Sequence, residues 1–185
     1  IMMNTNQAKR DARKLLSYLE NAERIRVTTA LGTDLSLSIK GRKAGAFYGQ
    51  ARRPKETASA SFEVYVAPQE DSMNGVLMLD ASFGYLGLVE SPIEIHFENG
   101  KLISAQSADG GADKLLNYID SFHDDTMYKP GEFGIGLNRM SRTRGVCYIE
   151  DESTYSTFHI GMGRNIALGG VQQAAGHFDI VTNKP

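Results

Sequence analysis

The sequence predicts an α+β fold: a mostly antiparallel sheet with one N-terminal helix and one middle helix. Two observations carry this expectation. Apolar residues recur at helical spacing near the start and again from Gly111, whereas elsewhere they alternate with period two. The alternating runs are joined by turn residues, among them Asn99-Gly100, the strongest short hairpin signal, and by glycines toward the C-terminus.

Residues 5 to about 22 read as a helix that Thr5 or Asn6 can cap, with Ala8, Ala12, Leu15, Leu16 and Leu19 on one stripe. Ile25 and Val27, then Leu35, Leu37 and Ile39, alternate around the turn-forming "LGTD" and predict a hairpin. The polar "ARRPKETASA" reads as a loop, and "FEVYVAP" as a strand followed by the turn residues "DSMNG". "GVLMLDAS" and the hairpin "PIEIHFENGKLISAQSA" come next. "GADKLLNYIDSFH" returns to helical spacing through Leu115, Leu116, Ile119 and Phe122. From "EFGIGLN" through "YSTFHIGMG" to "HFDIVTN" the chain reads as strands joined by glycine-rich turns.

A chain of 185 residues supports a single domain, 1–185, with a substantial core. No apolar run approaches the roughly 18 residues of a membrane span, and there is no signal-peptide pattern. One cysteine, Cys147, excludes an intrachain disulfide and fits a reducing compartment, so a cytoplasmic protein is expected. With net charge −2 and no dense basic run, nucleic acid is not an expected partner; the cluster "GQARRPK" reads as a solvated loop.

Four strands share an unusual feature. Glu63 lies opposite Phe62, Val64 and Val66; Glu132, Gly134 and Gly136 lie opposite Phe133, Ile135 and Leu137. His159, Gly161 and Gly163 oppose Phe158, Ile160 and Met162, and His177 and Asp179 oppose Phe178 and Ile180. In any one strand this is the ordinary wet face of a half-buried sheet. In combination, two histidines and three carboxylates form an N/O donor set suited to divalent zinc, cobalt or manganese and unlike a thiolate structural zinc site. A set so rich in carboxylate can hold two ions with one carboxylate bridging. Small neighbours leave room for an ion or substrate to approach the backbone.

From about Arg24 onward these segments resemble the C-terminal catalytic half of the aminopeptidase T family of thermophilic metallo-aminopeptidases. The resemblance runs through "GTDL", "EVYVAP" with "NGVL", "GEFGIGLN", "EDE" before "FHIGMG", then "GG" and "HFD". It implies Glu63, Glu132, His159, His177 and Asp179 as metal ligands, with Glu152 as a further acidic ligand and Asp151 or Glu150 as alternatives to it. It also implies release of N-terminal residues from short peptides with one or two divalent ions, Glu132 bridging them or taking the proton of the attacking water, and a homodimer. The family's N-terminal domain is expected to be absent. The chain departs from the family at Ile166, where a catalytic tyrosine is expected; Tyr155 and Tyr148 are the nearby substitutes. The ring-opening dihydroxypyridine dioxygenases, which use a single iron, resemble the same pattern and form the alternative, with a non-catalytic metal-binding relic as a third. Glu132 and His159 favour the aminopeptidase-like ligand set.

The remaining candidates have simpler expectations. His96 reads as solvated or hydrogen-bonded, and His123 as a helix C-terminal residue. Cys147 reads as core, and Asp34 as closing a turn through its side chain. "GIGLNRM" is no dinucleotide fingerprint, because it leads into no clear helix.

Overall fold

A computed structural model describes residues 5–48 and 61–183. The loop expected over "ARRPKETASA" and the basic cluster "GQARRPK" lie outside the described residues. Helix α1 (Thr5–Leu19) leads, followed by strands β1 (Arg24–Thr28), β2 (Asp34–Ser38), β3 (Gly45–Tyr48), β4 (Phe62–Val66), β5 (Asn74–Leu79) and β6 (Ser82–Phe83). The hairpin β7 (Ile93–Glu98) and β8 (Lys101–Gln106) precedes helix α2 (Gly111–Asp120). Strand β9 (Pro130–Gly136), helix α3 (Tyr148–Ser153), β10 (Phe158–Gly163) and β11 (His177–Thr182) complete the chain.

The strands form two antiparallel sheets, ordered β1-β2-β5-β7-β8 and β3-β4-β9-β10-β11-β6. The predicted hairpins form in register: Val27 faces Leu35, and Glu98 faces Lys101 across Asn99 and Gly100, which both take the positive φ that a tight two-residue turn requires. One core fills the space between the sheets. Leu35, Leu37, Leu77, Ile93 and Ile95 come from the first sheet, and Phe133, Phe158, Ile160, Phe178 and Ile180 from the second. This burial is why the period-two alternation in the sequence is so regular: one face of each strand is dry.

Helix α1 seats Ala8 and Ala12 against Val64 and Leu137, small side chains that let it lie close to β4. Helix α2 buries Ala112, Leu115 and Ile119 in the main core. From the end of α2, Tyr118 and Phe122 close on Phe178 with ring centroids 5.1 and 6.5 Å away. Among the described residues no helix is long and apolar enough to cross a membrane.

Four expectations are corrected. Tyr148–Ser153, expected within a region of strands and turns, forms helix α3, whose six residues "YIEDES" are too few to display an apolar period. His123 lies beyond the end of α2 with φ of 51°. Cys147 is exposed beside Val146, not in the core. Asp34 makes a two-pronged ion pair with Arg26 across the β1–β2 hairpin, at 2.8 Å for each bond, in place of closing the turn. His96 behaves as read, 2.7 Å from Glu94 on the open face of the first sheet.

Phe178 is fully buried and sits on β11 between the two residues that point the other way, His177 and Asp179. Phe178→Ala is expected to destabilise the fold by about 3–5 kcal/mol. Urea unfolding should show this as a lower midpoint at unchanged slope.

Candidate metal centre

The face of the second sheet turned away from the core collects five of the predicted ligands, all but Glu152, by strand register. Glu63 on β4 pairs with Gly136 on β9, and Gly134 on β9 pairs with His159 on β10. Gly161 on β10 stands between Glu132 on β9 and Asp179 on β11, and Gly163 pairs with His177. Each ligand therefore has a glycine beside it on a neighbouring strand. The space is needed. A Cβ at Gly134 would come within 2.0 Å of His159 Nε2, and one at Gly161 within 2.6 Å of the His177 ring and 2.8 Å of Glu132 Cβ. A β-bulge falls between Gly161 and Met162, where the strand is re-aimed next to Glu132.

Two triads result, Glu63–Glu132–His159 and Glu132–His177–Asp179, each with its donor atoms within 4.8 Å of one another. Glu132 is common to both. His159 Nε2 is 2.9 Å from Glu63 Oε2 and 3.9 Å from Glu132 Oε1. His177 Nε2 is 3.2 Å from Glu132 Oε2 and 3.3 Å from Asp179 Oδ1. These approaches do not lie along hydrogen-bond directions, for Glu63 Oε2, Asp179 Oδ1 and His159 Nδ1 are buried with no hydrogen-bond partner. Buried polar atoms without partners are rare, and a cation is one way to satisfy them. His177 Nδ1 donates to the Arg164 carbonyl at 2.7 Å, which turns Nε2 toward the carboxylates, the arrangement usual for metal-binding imidazoles.

Electrostatics agree with the geometry. Burial pushes the Glu63 carboxyl up, with the charges of Glu132 and Asp179 adding to it. Burial, and then the charges of Asp179 and Glu63, push Glu152 up to about 10. Burial also opposes ionisation of Asp179, but the close approach of His177 and the two imidazole charges outweigh it and hold Asp179 at about 2. Glu132 is likewise held low against its burial by His159 and His177. Both imidazoles are raised well above their ordinary value, because the carboxylates around them overcome the burial that favours the neutral ring. Glu63, Glu152 and the two imidazoles thus favour their protonated forms while Glu132 and Asp179 favour the ionised ones, the setting in which a divalent ion can take the protons' place.

The cluster floors a cavity of about 310 Å³ whose walls include Phe47, Tyr148, Arg164, Ala167 and Leu168. Of the three acidic residues that competed in the sequence, α3 directs Glu152 into this cavity, beside Asp179 and outside both triads. Asp151 is fully buried and accepts from the Arg144 and Gly145 N–H groups at 2.7 and 2.9 Å, a loop-closing role. Tyr148 lines the cavity, hydrogen-bonded to Tyr85, while Tyr155 stacks on Arg139 and Ile166 is on the surface. Sequence reasoning missed Arg164, whose only signal is its place directly after "FHIGMG".

The loop that carries Ala167 and Leu168 is held from across the molecule. Glu70 accepts from Val171 N–H at 2.8 Å and from Asn165 at 3.2 Å, and it pairs with Arg42, which also donates to the Gly169 carbonyl at 2.8 Å.

Fold and cluster together define a two-sheet domain with grouped carboxylate and imidazole donors that could hold a metal ion. The family model described as NicX, 2,5-dihydroxypyridine 5,6-dioxygenase, matches residues 1–184, and the chain belongs to that family. It is similar in fold to the structure of a 2,5-dihydroxypyridine dioxygenase from Pseudomonas putida KT2440, with TM-score 0.84 and 23% identity over 95% of this chain and 54% of that one. It is also similar to wild-type AmpT from Thermus thermophilus, with TM-score 0.67 and 18% identity over 95% of this chain and 48% of that one. This chain spans about half the length of either. Comparison with curated proteins gives no match.

The family match overturns the hydrolase reading: aminopeptidase and zinc or cobalt metalloprotease give way to the dioxygenase alternative. The likeness to AmpT stands as a relationship of fold. Glu132 and His159 misled because carboxylate and imidazole serve hydrolytic and oxidative metals alike, so ligand type does not reveal the reaction.

Gly134→Ala is expected to displace the His159 ring and lower affinity for a divalent ion by tenfold or more, with little change in circular dichroism; metal titration checks this. Burial alone would raise the Glu70 pKa, but its hydrogen bonds and Arg42 hold it below its ordinary 4.5. A depressed folded pKa stabilises above the unfolded value and is lost as pH falls through the folded one. Below about pH 4.5, Glu70→Gln should therefore lose less stability than the parent on further acidification, read by thermal unfolding across pH.

Proposed function

We propose that this chain forms the metal-binding half of a ring-opening dioxygenase acting on a hydroxylated pyridine. The observation that carries the reading is the Glu132–His177–Asp179 triad at the floor of a cavity of about 310 Å³, in a chain belonging to the NicX family. A cavity of this volume is at the small end of ligand sites and suits a single ring.

Glu132, His177 and Asp179 would hold one ferrous ion, an N/O donor set of the kind non-haem iron uses. The ion, when bound, supplies the redox chemistry by which both atoms of dioxygen enter a cleaved ring. The Arg164 carbonyl keeps the His177 lone pair turned inward. Glu63 and His159 brace Glu132 from its other side. Glu152, its carboxyl pushed up to about 10 by burial and by the charge of Asp179, would offer a proton to that neighbouring carboxylate. Phe47 and Leu168 give the cavity apolar walls that favour a flat ring over water.

Protein loaded anaerobically with ferrous iron should consume oxygen and 2,5-dihydroxypyridine one for one, with loss of the ring absorbance. Asp179→Ala should weaken iron binding by more than a hundredfold and remove that turnover. The metal arm is read independently by iron titration. An iron-loaded protein that cleaves leucine p-nitroanilide and leaves the pyridine and oxygen untouched would sink the proposal.

A further inference from the structure

Arg164 follows the last residue of β10 and is fixed at three points. Its N–H donates to the Gly176 carbonyl at 2.8 Å, its carbonyl accepts from His177 Nδ1 at 2.7 Å, and its Nε donates to the Ala174 carbonyl at 2.9 Å. The two terminal nitrogens have no partner among the described residues. Three other arginines, by contrast, are held in ion pairs: Arg26 with Asp34, Arg42 with Glu70 and Arg139 with Asp11. Although Arg164 lines the same cavity as four carboxylates, it is in no ion pair with any of them. It is exposed at the rim while the carboxylates are buried at the floor.

The cavity is therefore bipolar. The metal-ligand cluster and a guanidinium held by its Nε both line it, with Phe47, Ala167 and Leu168 in the wall. A guanidinium held by its Nε loses little further freedom when its remaining donors grip an oxygen, and charge-assisted bonds of this kind are the strong ones. Resting on the metal reading above, we infer that Arg164 is a substrate-binding residue. It takes an oxygen substituent of the substrate ring, as an anionic oxide or a neutral oxo group. It thereby selects pyridines with two oxygen substituents over those with one.

The same residue fixes His177 through its main chain and would meet substrate through its side chain, so substitution separates the two roles. The test uses the full chain loaded anaerobically with ferrous iron, titrated with 2,5-dihydroxypyridine and with 3-hydroxypyridine as the single-oxygen control. Arg164→Gln should leave iron affinity unchanged and weaken 2,5-dihydroxypyridine roughly tenfold to a hundredfold, while 3-hydroxypyridine shifts by about twofold or less. Arg164→Lys, which keeps the charge without the fork, should fall between. If the parent fails to take up iron, the metal reading itself fails. If iron binds but Arg164→Gln leaves both pyridine affinities unchanged, or the iron-loaded parent does not distinguish the two pyridines, the role of Arg164 is overturned.

Discussion

Burying four carboxylates and two imidazoles against one sheet face, five on its strands and Glu152 on α3, is costly, and much of the second sheet is organised to make it possible. Charged groups taken out of water need partners, and these six have mainly each other. Glu63, Glu132, Glu152, His159 and Asp179 are all nearly inaccessible, and His177 is the one member partly open to the cavity. Their positions are held from the opposite side of the sheet, where Phe133, Phe158, Ile160, Phe178 and Ile180 bury the alternate residues of the same strands in the core. The apolar face holds the strands together, and the polar face carries the chemistry.

Room on the polar face comes from removing side chains. Gly134 and Gly161 stand where any Cβ would enter the space of an imidazole, so the ligands lean across their neighbours' backbones. Glycine normally weakens a strand interior. Here that weakness is offset by a core face that is apolar on β9, β10 and β11 alike. The cavity wall is tied down at longer range, by Glu70 and Arg42 from the loops that follow β4 and β2.

Much of this was legible in the sequence. The hairpin at Asn99-Gly100, the helices over Thr5–Leu19 and Gly111–Asp120 and the alternation of the ligand strands all follow from local backbone stereochemistry. Helix α3 was not legible, since its six residues are too short for a period, and with it went the means of choosing among Glu150, Asp151 and Glu152. Cys147 was misplaced because flanking Val146 and Tyr148 suggested a core, yet Val146 is itself 87% exposed. The reaction class was misjudged for a chemical reason: the donor atoms for hydrolytic and oxidative metals are the same.

By itself, then, the sequence determined which residues share a face within each strand, and so which His, Glu and Asp could act together. Side-chain alternation is a property of the extended backbone and needs no tertiary contact. Only the tertiary structure decided that β4, β9, β10 and β11 lie side by side in the register that pairs each ligand with a glycine. It also decided that Glu132 belongs to both triads, that burial raises the Glu152 carboxyl, and that Arg164 lines the same cavity. These depend on distances between groups as much as 116 residues apart, from Glu63 to Asp179, and such distances are set by long-range pairing and core packing.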